Sequence, residues 1–156
     1  MIKKFLTYIL LVICTSCGFQ PILKNISNEN LVINKINYAG KNDLTYSINS
    51  YLNLRIQENI EGLNLNISIK ESISAITKNN QGITTEESLE IIVNLVVKNK
   101  NLEIISNETL SSSKRLWVTN NIISDEELRK IERKSLLKEL SQQIKLRLFI
   151  INQNIK

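Results

Sequence analysis

The sequence predicts an α+β protein, a two-layer sandwich in which two helices pack on one face of a four-stranded mixed sheet, in the order β-α-β-β-β-α. Three observations carry this. Leu63, Leu65, Ile67 and Ile69 alternate with Asn64, Asn66, Ser68 and Lys70, the period-two pattern of a strand with one face on a core. Leu128, Ile131, Leu137, Leu140, Ile144, Leu148 and Ile151 recur mostly three and four apart, which lines one side of a long helix. Between Ala39 and Asp43 the period changes from two to the helical value, with Gly40 at the change. Two amphipathic helices and one alternating sheet bury their apolar sides most simply against each other.

In chain order, Leu31–Ala39 reads as a strand, with Val32, Ile36 and Tyr38 on one parity and Leu31 and Ile33 on the other. Asp43–Ile60 reads as a helix that places Leu44, Ile48, Tyr51 and Leu52 on one side, with Leu54 and Ile56 widening the stripe. Asn42 or Asp43 is the expected cap, and Gly62 the expected left-handed stop. After the alternating strand from Leu63, Asn79–Asn80–Gln81–Gly82 supplies a turn. Ile83–Lys98 returns as a strand, with Leu89, Ile91, Val93, Leu95 and Val97 on one parity. Asn99–Lys100–Asn101 turns again into a strand over Leu102–Thr119, running through Ile104, Leu110 and Trp117, with Ser111–Ser112–Ser113 read as a bulge. Ser124–Asp125–Glu126–Glu127 has the form of a capping box and opens a helix of about seven turns over Asp125–Ile150.

The chain begins MIKKFLTYILLVICTSCGFQPIL. Lys3 and Lys4 form a positive start, Phe5–Ile13 an apolar run, and Thr15 and Ser16 are small residues before Cys17, the layout of a bacterial lipoprotein export signal. Cleavage before Cys17 would leave its sulfur to carry a diacylglyceryl group and its amine to be acylated. Cys14 is not a comfortable alternative, because bulky Ile13 would precede the cut. Two plainer readings stand beside this: an uncleaved anchor, although Phe5–Phe19 falls short of the ~20 apolar residues that span a bilayer, and a cleaved signal that leaves Cys17 a free thiol. On the lipoprotein reading, residues 1–16 are a signal peptide, 17–29 a lipidated tether containing Pro21, and 30–156 a single domain.

Composition narrows the chemistry. With 42 % hydrophobic and 22 % charged residues the chain is built to fold. It has no histidine and two cysteines, one leaving with the signal and one acylated. That excludes Ser-His-Asp triads, Cys-His pairs and His-bearing zinc sites, so we expect no enzyme activity, no metal and no cofactor beyond the covalent N-acyl and S-diacylglycerol lipid on Cys17. The net charge of +5 is spread along the chain, which suits an anionic membrane or phosphorylated lipid and is too diffuse to argue for nucleic acid. Glu86–Glu87 and Asp125–Glu127 read as turn and cap residues. Lys114 and Arg115, beside Leu116 and Trp117, are the candidate contacts for a phosphorylated glycolipid. The plain alternative is an ordinary solvent face with Trp117 in the core. Arg147 is expected to face solvent or to balance its helix dipole.

With these residues placed, the chain resembles the LPS-assembly lipoprotein family LptE in its alphaproteobacterial form. The opening Cys17–Gly18–Phe19–Gln20–Pro21–Ile22 is similar to the family's Cys-Gly-Phe-x-Pro-Leu. Leu63–Glu71 resembles its alternating second strand, and Ile144–Lys145–Leu146–Arg147–Leu148 its Ile-x-x-Arg-Leu near the C-terminus. The chain departs from the pattern at Cys14, where Leu is usual, and in a second helix rich in Lys, Glu and Ser where relatives are Ala-rich. The resemblance implies an outer-membrane lipoprotein facing the periplasm that plugs and helps assemble an LptD-type β-barrel and delivers lipopolysaccharide to the cell surface; the other reading is a lipid-anchored periplasmic scaffold or envelope-assembly protein that does not bind lipopolysaccharide. Gly18 after the lipid cysteine, where Asp would retain a protein at the inner membrane, agrees with that destination under the enterobacterial sorting rule.

Overall fold

The computed structural model describes residues 31–57 and 62–155. The observed order is β1 (Ile33–Ala39), α1 (Asn42–Leu52), β2 (Leu63–Lys78), β3 (Thr84–Lys98), β4 (Ile104–Trp117) and α2 (Ile122–Ile155). The four strands form one sheet in the order β1-β2-β3-β4, with β1 parallel to β2 and the remaining pairs antiparallel. A parallel neighbour needs a crossover, and α1 supplies it; the antiparallel pairs need tight turns. Both helices lie against the same face of the sheet, as expected from the sequence.

The core sits between the layers. Leu65, Ile67 and Ile69 of β2 and Leu89, Ile91, Val93, Leu95 and Val97 of β3 are buried on the helix side, opposite Leu44, Ile48 and Leu52 of α1 and Leu137, Leu140, Ile144 and Leu148 of α2. Each such side chain contributes about 1.5–3 kcal/mol by leaving water. The alternation read in β2 and β3 is therefore the alternation of burial.

Several boundaries differ from the expectation. Helix α1 stops at Leu52, because Asn53 turns left-handed (φ 43°, ψ 47°) and donates its N–H to the Asn49 carbonyl at 3.0 Å. The chain beyond it becomes extended. Ile56 bridges Ile33, and the Gln57 N–H donates to the Ile33 carbonyl at 2.8 Å. Pairing with the open edge of β1 thus outweighs the helical periodicity of residues 53–57. Residues 58–60 of the expected helix lie outside the described residues. Gly62 does not end a helix; a Cβ there would lie 2.9 Å from the Val32 carbonyl oxygen, so it lets β2 start tight against the entry to β1. Nor do Asn42 and Asp43 cap α1. The capping position is Lys41, without a side-chain bond, while Asp43 sits within the first turn, where its charge suits the dipole.

Helix α2 begins three residues before the expected start and ends five beyond the expected end. Asn121, not Ser124, caps it, its Oδ1 accepting from the N–H groups of Ile123 at 3.1 Å and Ser124 at 3.3 Å. Ile131, read as part of the apolar stripe, is 59 % exposed, and Leu136 is buried in addition to the predicted set. Six residues before Leu137 lies about 120° around a helix, whereas four and eight before fall near the buried side. Those positions hold Arg133 and Arg129. In β4 the expected bulge at Ser111–Ser113 is absent; these residues pair in regular register with Glu90–Ile92, and the irregularity falls between Val97 and Lys98 of β3, opposite Ile105.

The two hairpin turns share one construction. Asn79 Oδ1 accepts from the N–H groups of Gln81 (3.0 Å) and Ile83 (2.9 Å), and Asn99 Oδ1 from those of Asn101 (2.9 Å) and Glu103 (3.0 Å). The fourth position is left-handed in both, occupied by Gly82 (φ 78°) in one and by Leu102 (φ 65°) in the other. A leucine in that conformation costs about 1–2 kcal/mol that glycine does not.

Gly40 (φ 139°) lets the chain leave β1 and cross close over β2, where a Cβ would come 2.5 Å from the Ile69 carbonyl oxygen. Replacing Gly40 by Ala is expected to destabilise the domain by about 2–3 kcal/mol, read as a lower urea midpoint at unchanged slope.

Candidate functional site

Cys17, the predicted lipidation site, lies outside the described residues. Among the described residues no helix is long and apolar enough to cross a membrane. The other two predicted site residues, Lys114 and Arg115, are neighbours in β4 and therefore point to opposite faces of the sheet. Lys114 is on the helix side, its Nζ 3.5 Å from Glu132 of α2. Arg115 is on the uncovered side, its Nε 3.8 Å from Glu86 of β3. The two cations thus flank one edge strand instead of forming a single patch. Trp117 shares the uncovered face with Arg115 and is 72 % exposed, so it is not a core residue; Leu116 takes the buried position. Arg147 is held by Glu108, with Nε and Oε2 3.2 Å apart.

The residues that sequence reasoning missed form an ionic cluster where the apolar core ends. Arg129 donates through Nε and Nη2 to both oxygens of Glu87, at 2.5 and 2.9 Å. Arg133 donates through Nε and Nη2 to both oxygens of Glu71, the second at 3.1 Å. Glu126 lies 3.4 Å from Arg129 and 3.7 Å from Arg133 and so ties the two forks together. The hydrogen bonds that they donate to the carboxylates hold both guanidinium groups above their ordinary pKa, against the opposing effect of burial. Glu86 and Glu87 are therefore strand residues, 7 % and 5 % exposed, and not turn residues; Glu86 also accepts from Thr77 Oγ1 at 2.9 Å. The signal was present: Glu71 continues the parity of Ile67 and Ile69, and Glu87 that of Leu89, so a carboxylate stands where a core residue is due.

With Asn121 as the cap, Asp125 lies inside the first turn of α2 and not next to a Ser124–Glu127 capping box. Its Oδ1 accepts from the Thr119 N–H at 2.9 Å and the Thr119 hydroxyl at 3.0 Å, closing the β4–α2 loop. The Thr119 backbone bond, with the hydroxyl and Arg129 adding to it, holds this carboxyl below the usual range. On the other side of the core, burial pushes the Tyr38 hydroxyl up to about 12, and it donates to Asn49 Oδ1 at 2.9 Å.

The uncovered face of the sheet is polar. Asn37 donates to Asn66 at 2.9 Å and Asn34 to Asn64 at 3.2 Å, and Asn94, Asn107, Thr109, Ser111 and Ser113 extend this surface across β3 and β4. A shallow groove of about 180 Å³ runs between Asn37, Asn66, Asn94 and Val96. Small-molecule pockets enclose roughly 300–1,000 Å³. The face is therefore suited to surface contact more than to enclosing a ligand.

No family model and no curated protein matches the chain by sequence. Solved structures do match in fold. The domain is similar to rare lipoprotein B from Shewanella oneidensis, with a TM-score of 0.63 and 13 % identity over 78 % of this chain and 98 % of that one. It is also similar to a minor lipoprotein from Acinetobacter baumannii, with a TM-score of 0.61 and 15 % identity over 80 % and 94 % of the two chains. Lipoprotein B from Nitrosomonas europaea gives 0.61 and 10 % over 74 % and 80 %. At these identities the likeness is one of fold.

Two expectations follow from the site. Replacing Arg133 alone by Met strands Glu71 and is expected to cost about 2–3 kcal/mol, most of which returns when Glu71 is also replaced by Met; a double-mutant cycle in urea checks this. Asp125 has a folded pKa below its unfolded value of about 3.9, so its charge stabilises the fold above that pH and ceases to do so as pH falls through the folded pKa. The gap in melting temperature between the native protein and Asp125→Asn should accordingly be widest near pH 7 and close below about pH 4.

Proposed function

We propose that this protein is a lipid-anchored envelope protein of the outer membrane, facing the periplasm, and that it serves as the LptE-type subunit of a lipopolysaccharide translocon. The observation that carries the reading is the coincidence of the folded domain with structures described as lipoproteins, over 98 % and 94 % of two of those chains, behind a segment that ends in a lipoprotein-type Cys17. The Cys-Gly-Phe-Gln-Pro-Ile opening supports the narrower family resemblance.

The geometry suits a binding role without bond chemistry. A β-barrel lumen is polar and water-filled, and the uncovered sheet face, with its Asn, Ser and Thr rows, offers complementary hydrogen-bonding groups to such a wall. Lys114 and Arg115 each pair with one carboxylate at 3.5–3.8 Å and remain largely exposed. Such pairs are worth roughly 0–1 kcal/mol. A glycolipid phosphate, with more charge and more acceptor oxygens, can displace Glu132 or Glu86 and form stronger charge-assisted bonds.

A tagged chain purified from outer membranes is expected to bring down a large β-barrel protein, and recovery without one would sink the translocon reading. Cys17→Ala should release the protein from membranes. The double change Lys114→Ala with Arg115→Ala should weaken binding of purified lipopolysaccharide several-fold and flatten its salt dependence; unchanged affinity would return both residues to the ordinary surface.

A further inference from the structure

The second half of β2 is a strand edge that the fold leaves open. β1 pairs with β2 only as far as Ala39 with Ser68, whereas β2 runs on to Lys78 with its ladder to β3 on the other side. Among the described residues no strand pairs with the β1 side of residues 70–78. Two contacts show which backbone groups face that side. The Leu63 N–H donates to the Val32 carbonyl, and the Ile69 carbonyl oxygen lies against Gly40, so the odd-numbered residues of β2 point toward β1. Direction alternates along a strand. Glu71, Ile73 and Ala75 therefore present N–H and C=O groups to the open side, while those of Ser72 and Ser74 face β3.

Sheet edges in native proteins are blunted by charges, by proline or by a covering element. The β4 edge is bridged in this way, since α2 reaches it from Arg147 to Glu108, from Glu139 to Ser112 and from Glu132 to Lys114. The β2 edge has no such bridge. Residues 72–77, SISAIT, carry no charge and no proline, and all are exposed. Ile73 and Ile76 are 45 % and 44 % exposed, although Ile73 pairs with fully buried Leu89. A run of this kind on an open edge is a template for another strand.

Two lysines decide the kind of strand. Lys70 and Lys78 bracket the run, are exposed, and form no ion pair among the described residues. The neighbouring acids are engaged, Glu71 by Arg133, Glu87 by Arg129, and Glu86 by Arg115 and Thr77; Glu90 lies inside the sheet on β3, opposite Ser72. A second copy pairing antiparallel over the whole run would bring Lys70 of each chain toward Lys78 of the other, and like charges across a strand pair are unfavourable. A strand with an acidic side chain near each end meets both lysines.

We propose that residues 70–78 of β2 take up an extended acidic segment of the β-barrel partner as a fifth strand of the sheet, which rests on the translocon reading above. Main-chain bonds from Glu71, Ile73 and Ala75 supply the grip, Ile73 and Ile76 become covered, and Lys70 and Lys78 select the acids. The uncovered sheet face stays free for the barrel wall.

The test compares tagged full chains purified from outer membranes. Ala75→Pro removes an outward N–H that β3 does not use, a change that sheet edges tolerate, and it should lower recovery of the barrel at least fivefold with the fold intact by circular dichroism. Lys70→Glu together with Lys78→Glu leaves the backbone unchanged and should lower recovery at least threefold; this pair decides alone where Ala75→Pro does not fold. Undiminished recovery with either folded variant overturns the proposal. In the native complex the amides of Ile73 and Ala75 should exchange with deuterium at least tenfold more slowly than in the free chain, and unchanged exchange also overturns it. A native chain that brings down no barrel sinks the translocon reading by itself. The edge is then decided with a synthetic nine-residue strand of Val and Thr carrying Glu near each end: binding at least fivefold tighter than that of its Lys-bearing counterpart, and lost in Ala75→Pro, supports it, and equal binding or none overturns it.

Discussion

Five residues of β3, Leu89, Ile91, Val93, Leu95 and Val97, are withdrawn from solvent on the side where the helices lie, and most of the domain is placed by the need to cover them. A central strand buried on one face must find its cover from elements that cross the sheet. Helix α2 does this along its length by lying antiparallel to β4, while α1 covers the β1–β2 side as the crossover between parallel neighbours. The opposite face has no second layer among the described residues, and amides and hydroxyls are prominent on it, as in the Asn37–Asn66 pair.

The ionic cluster marks where this hydrophobic registration gives out. Beyond Ile69, β2 has no strand neighbour on its β1 side, and its last residues are exposed. There the contact between α2 and the sheet is carried by Arg129 with Glu87 and Arg133 with Glu71, two forked pairs joined by Glu126. Such pairs add little net stability over a packed apolar contact, since each charge gives up much of its hydration. Their geometry is directional where dispersion is not. They fix the azimuth of the helix at the end where leucine contacts are fewest, and a slip of one residue would leave four charges unpaired.

Both ends of the domain carry exposed apolar side chains. One end holds the start of β1 and presents Leu102, Ile104 and Ile105; the other presents Trp117, Ile122 and Ile123 beside the Asn79–Gly82 turn. Hydrogen-bonding groups line the sheet face between them, and the two cations of β4, Lys114 and Arg115, stand near the Trp117 end, one on each face.

How much of this was legible in the sequence follows from the range of the interactions. The alternation from Leu63 to Ile69, the stripe from Leu137 to Ile151 and the two Asn-led turns are local signals, and they determined the element types, their order and the one-sided core. What the sequence left open was settled by long-range pairing. Helix α1 stops at Leu52 because residues 56–57 find the edge of β1, and α2 starts at Ile122 because the Asn121 side chain caps it. Arg129 and Arg133 replace Ile131 on the buried side because two carboxylates, 62 and 42 residues away in the chain, wait for them in β2 and β3. The same holds for the predicted site: adjacency in sequence suggested that Lys114 and Arg115 act together, and the pleat of an edge strand turned them to opposite faces. Local periodicity is written in one segment and can be read there, whereas the fate of a boundary or a charge depends on a partner that only the folded chain brings near.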